Sequence, residues 1–105
     1  MPDKQTTIEL ATKYGTHLAT REIWGQKVCS DIKALLAMSY SVEVSFKGME
    51  SASPSFFDEA FGKLVEEYSL EFLKQHLSIT NITDEYRIVL NKAILRRNGL
   101  KKQAG

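Results

Sequence analysis

The residues best placed to do chemistry are three serines spaced two apart in the stretch Met49-Glu50-Ser51-Ala52-Ser53-Pro54-Ser55-Phe56-Phe57-Asp58-Glu59. Ser53 followed by Pro54 reads as a helix start. A serine oxygen can accept from an unpaired amide of the first turn, and proline at the first helical position gives up an N–H that would have no partner there anyway. The remaining free amides would then face the preceding loop, an arrangement that draws anions. Ser55 falls at the second helical position, where an attached phosphate would meet those amides and add a charge of about −2. Glu59, one turn on, would oppose it. Two functional readings follow. One is a partner-binding, regulatory loop made of Met49, Ser51, Ser53, Ser55 and Asp58, with Ser55 as its phosphorylation site. The other is a small-anion or nucleotide site on the amides of Ser53 to Phe56. The plain alternative is a capping serine between two ordinary loop serines.

Other candidates for chemistry fail on spacing. The carboxylate pairs Asp58-Glu59, Glu66-Glu67 and Asp84-Glu85 are adjacent on helical segments, so they diverge and cannot share a proton or a metal ion. His17 and His76 have no partner at ligand spacing. Cys29 sits in an apolar helical stripe, the setting of a packed thiol. Gly48 belongs to neither phosphate-binding glycine pattern, GxxxxGK[ST] or GxGxxG. No base, nucleophile and orienting group converge, so no enzyme, metal or cofactor is expected. Arg96, Arg97, Lys101 and Lys102 form a basic end that complements a helix C-terminus more simply than it would read nucleic acid.

With 14 basic and 13 acidic side chains the formal charge is +1, too small to steer nucleic acid or an anionic membrane toward the whole surface. The 105 residues suffice for one domain, and 43% hydrophobic with 26% charged residues describes a globular chain. A single cysteine excludes an internal disulfide, the stretch Met1 to Thr7 lacks the apolar core expected of a signal peptide, and no run approaches the ~20 apolar residues of a membrane span. A cytoplasmic setting is the expectation.

The elements that must position the serines follow from periodicity. Thr7-Ile8-Glu9-Leu10-Ala11 and Ser41 to Phe46 alternate like strands, and Leu77 to Thr80 reads as a third. Thr20 is placed to cap a helix whose face carries Gly25, Val28, Cys29, Ile32, Leu35 and Leu36, with Gly25 allowing close approach to a sheet. Phe56, Phe57, Ala60, Phe61, Leu64, Val65 and Tyr68 form the broad stripe of a central helix. Thr83 caps a last helix with Tyr86, Val89, Leu90, Ala93 and Ile94 inward. Strands alternating with helices predict an α/β fold of βαβαβα order with a small, mostly parallel sheet. The domain should occupy residues 6–98, between flexible ends at 1–5 and 99–105. Arg21 and Glu59, each near a helix start, are a candidate ion pair.

Gly15-Thr16-His17-Leu18-Ala19-Thr20-Arg21, the strand through Phe46-Lys47-Gly48-Met49, and Ser53-Pro54-Ser55-Phe56-Phe57-Asp58-Glu59 resemble the STAS-like domain of unknown function, over roughly Ile8 to Asn98. That group is related to anti-sigma factor antagonists and to sulfate-transporter STAS domains. In those relatives the loop before the central helix reads Asp-Ser-Ser-Gly-Leu, and its serine is phosphorylated by a partner that is also an anti-sigma factor. Ser55 falls at that serine, with Ser53, Pro54 and Phe56 in place of the acid, the preceding serine and the glycine. The resemblance implies a non-enzymatic interaction module whose protein partner is an ATPase of the histidine-kinase-like class.

Overall fold

The computed structural model describes residues 4–18 and 22–104. Strand β1 (Lys4–Glu9) is followed by a single turn, α1 (Leu10–Lys13), then by β2 (His17–Leu18), α2 (Glu22–Ala37) and β3 (Tyr40–Ser45). The chain continues through β4 (Ser51–Ala52), α3 (Pro54–Phe57), a wide π-helical turn at Asp58–Gly62, α4 (Leu64–Glu67), α5 (Leu70–His76), β5 (Leu77–Thr80) and α6 (Asp84–Ala104). The main sheet has the order β1-β3-β5, parallel throughout, and β2 pairs with β4 in a second, two-stranded parallel sheet. The fold is thus α/β with a small parallel sheet packed by helices.

Alternation sets the two faces of the main sheet. Ile8, Val42 and Val44 are buried beneath the helices. Gln5, Thr7, Glu9 and Ser78 on the opposite face are exposed, and Glu43 beside them accepts a hydrogen bond from Thr80 at 2.7 Å. Parallel sheets usually have both sides covered. Here helices cover one side, and the strands alternate in the manner of a half-buried sheet.

The aromatic stripe supplies the centre of the core. Phe56, Phe57, Ala60, Phe61, Leu64 and Val65 are all at most 1% exposed. Phe46 stacks on Phe57 with ring centroids 5.7 Å apart, and Phe56 meets both Phe57 and Phe61 edge-on. Instead of one regular helix, the segment carries the wide turn, and the sequence explains why. Phe56, Ala60 and Leu64 recur every four residues, as do Phe57, Phe61 and Val65. Around a 3.6-residue helix each step of four overshoots by about 40°, so two steps would swing the rows off the core. The π turn takes up the overshoot.

Several boundaries and contacts differ from the sequence reading. The first strand is Lys4–Glu9, not Thr7 to Ala11, because its register against β3 begins at Lys4↔Tyr40. The last helix runs to Ala104, past the expected boundary at residue 98. Gly25 faces the central helix and not the sheet: a Cβ there would lie 2.6 Å from Glu59 Cβ and 3.2 Å from the Phe56 carbonyl oxygen. The expected cap at Thr20 lies outside the described residues. Thr83 does cap α6, accepting from the Tyr86 amide at 3.2 Å.

Candidate functional site

The loop that carries the serines leaves the carboxyl end of β3 and is held from three sides. At its root, buried Ser45 accepts from the Lys47 amide at 3.2 Å and from Asn81 Nδ2 at 3.0 Å. The Phe46 amide donates to the Thr80 carbonyl at 2.9 Å, extending the β3–β5 pairing by one rung. Gly48 then turns the chain with φ +81, and the Met49 amide closes the turn on the Phe46 carbonyl at 3.0 Å. A left-handed φ of this kind is what glycine supplies without steric cost.

Beyond the turn the loop pairs with the segment after α1. The amides of Glu50 and Ser51 both donate to the Thr16 carbonyl, at 2.9 and 3.1 Å, and His17 lies opposite Ser51 in the small sheet. His17 Nδ1 and Ser51 Oγ share a hydrogen bond of 3.1 Å, while His17 Nε2 is 3.9 Å from Glu50 Oε1. The His17–Ser51 contact escapes sequence reasoning because two-residue strands leave no periodic trace and their partners are 34 residues apart.

The cap and the first helical residue are as predicted, but the amides expected to be free are mostly taken. Ser53 is extended, its Oγ accepts from the Phe56 amide at 3.1 Å, its carbonyl accepts from the Phe57 amide at 3.2 Å, and Pro54 is the first helical residue. These bonds count against an anion cradle. Proline brings no N–H, and the amides of Phe56 and Phe57 are occupied, so within the first helical turn the amide of Ser55 is the one left over.

The five predicted loop residues therefore separate. Met49 is half-buried against the core, Ser51 is bonded to His17, and Ser53 is used as the cap. Asp58 turns away from the loop to receive Arg97, whose Nε donates to Oδ1 at 2.8 Å and whose second nitrogen reaches Oδ2. Arg97 also holds Glu66, and Arg96 stands 3.7 Å from Asp58. The Arg97 guanidinium holds the Asp58 carboxyl below its usual pKa. Gly62 makes room for the pair, since a Cβ there would sit 2.9 Å from Asp58 Oδ1 and 3.0 Å from Arg97 Cγ. Arg97 is thus a clamp between the central helix and α6, not a member of a solvated basic end. Of the expected ion pair, Arg21 lies outside the described residues, and Glu59 is held by Lys63 at 2.8 Å.

Ser55 remains. It is exposed, and its hydroxyl has no hydrogen-bond partner among the described residues.

The family model of the STAS-like domain of unknown function (DUF4325) matches residues 25–87, from α2 through the serine loop to the first turn of α6. The chain belongs to this family. The match is narrower than the span Ile8 to Asn98 expected from the resemblance, and it leaves out Gly15 to Arg21. No curated protein and no solved structure matches the chain. Within the STAS-like domain, the matched region holds β3, the loop, the whole central helix and β5, which are the elements that place Ser55 at the carboxyl edge of the sheet. No helix among the described residues is long and apolar enough to cross a membrane.

Proposed function

We propose that this STAS-like domain is a non-enzymatic regulatory module that binds a protein partner through the Met49 to Ser55 loop and the start of the central helix, and that phosphorylation of Ser55 switches the contact. The observation that carries this reading is the contrast among the three serines. Ser51 and Ser53 spend their hydroxyls on the fold, whereas Ser55 presents a free one at the second helical position. Phosphate there meets the positive end of the helix and its own unoccupied amide. The repulsion expected from Glu59 is reduced, because the Lys63 ammonium neutralises that carboxylate. The partner implied by the family relationship is an ATPase of the histidine-kinase-like class, transferring the γ-phosphoryl group of ATP to Ser55 Oγ with release of ADP.

The test is to incubate the chain with ATP and histidine-kinase-like ATPases of its own organism, and to measure intact mass and complex formation. Wild type should gain one phosphate and Ser55→Ala none. Ser55→Glu should change partner affinity, while Ser51→Ala should leave phosphorylation in place. Phosphate on another residue, or partner binding indifferent to every Ser55 variant, would falsify the switch.

A further inference from the structure

A second surface lies away from the serine loop. Between α5, β5 and α6 runs a half-open groove of about 480 Å³, floored by Phe61, Leu73, Leu77, Ile79, Leu90 and Ile94. Its apolar surface continues over the rim onto α6, where Leu95 is 64% and Ile88 56% exposed. These two residues are seven apart and share a helix face, so the strip extends about 10 Å along α6. Lys74 and Arg87 stand on the lining, and no carboxylate does. Arg87 donates to the Ile79 carbonyl at 3.4 Å, and among the described residues neither cation pairs with an acid.

We infer that this groove receives an acidic amphipathic helix of a partner protein, its apolar side chains in the groove and its carboxylates on Lys74 and Arg87. Helix-in-groove recognition uses anchors at i, i+3 or i+4 and i+7, which span the two-turn length of this strip. Two other occupants fit less well. A second copy meeting the same face about a two-fold axis would bring its own Lys74 and Arg87 against these two, like charge on like. An anionic bilayer is met by projecting apolar side chains, whereas most of the apolar residues here floor a concavity.

The experiment uses the full chain and a displayed library of amphipathic helices about four turns long, with flanking positions varied among Glu, Gln and Lys. Wild type should enrich Glu-flanked over Lys-flanked helices by about tenfold or more, a difference of ~1.4 kcal/mol. Lys74→Glu/Arg87→Glu, two exposed changes that leave the core intact, should reverse the preference. Amide shifts on binding should centre on Leu73, Leu90 and Ile94. Absence of enrichment, a preference that survives the charge reversal, or a footprint elsewhere overturns the inference. So does binding to anionic vesicles, or a dimer, that the double variant abolishes while the library selects nothing. Ser55→Glu should leave the enrichment unchanged, so this surface and the serine switch stand or fall separately.

Discussion

Replacing Arg97 by methionine should show how much of the domain's stability depends on a single clamp. Methionine keeps much of the aliphatic stem and removes the guanidinium, so the change reports mainly on the ion pair. Arg97 and Asp58 are each 19% exposed, whereas Glu66 is half in solvent. The Asp58 bonds should therefore dominate, since hydrogen bonds to charged groups net about 1.5–3 kcal/mol and an exposed pair such as Arg97–Glu66 adds about 0–1 kcal/mol. The expected loss is about 2–3 kcal/mol, and for a domain of this size each kcal/mol lowers Tm by roughly 4–8 °C. Asp58→Asn and the double variant complete a thermodynamic cycle by urea unfolding, with a coupling of about 1 kcal/mol or more. The pH dependence has a definite sign. Because Asp58 has a depressed folded pKa, its contribution is complete above the unfolded value of about 3.9 and disappears as pH falls through the lower folded value. A coupling below about 0.5 kcal/mol, or one unchanged on acidification through that window, would refute the assignment of Arg97 as a clamp.

Three further outcomes are expected. Gly25→Ala should destabilise the domain in thermal unfolding, because overpacking against Glu59 and the Phe56 carbonyl costs about 1–3 kcal/mol and outweighs the ~1 kcal/mol helical gain; a variant as stable as wild type would show that α2 and the central helix part freely. Phe61→Ala, removing a ring that is 1% exposed, should cost about 3–5 kcal/mol in denaturant titration, and a loss under about 1 kcal/mol would deny that aromatic cluster its role. Ser53→Ala should lose about 0.5–2 kcal/mol by forfeiting the cap, while Ser55→Ala should melt with wild type; equal losses from both would contradict their different roles.

Much of the fold was legible because its strongest signals are local. The alternation of Ser41 to Phe46, the serine-proline helix start, the Thr83 cap and the aromatic stripe each depend on neighbours within about one or two turns. The π turn was legible in principle, in the strict four-residue repeat of Phe56, Ala60 and Leu64, but a broad hydrophobic stripe hides it. Other features are set by residues far apart in sequence. Nothing near Asp58 announces Arg97, and nothing in His17-Leu18 or Ser51-Ala52 announces a strand pair. Gly25 could be read as a site of close packing, but whether a sheet or a helix would approach it depends on tertiary geometry.

The water-facing side of the β1-β3-β5 sheet makes the domain unusually convenient to label. A cysteine introduced at Thr7 or Ser78 would hold a dye or tether on the exposed face, on the side of the sheet opposite buried Ile8, Val42 and Val44. The native thiol would compete little, because Cys29 is 4% exposed and burial raises its pKa, keeping it protonated and shielded. Single-site maleimide coupling should therefore be achievable without first removing the natural cysteine.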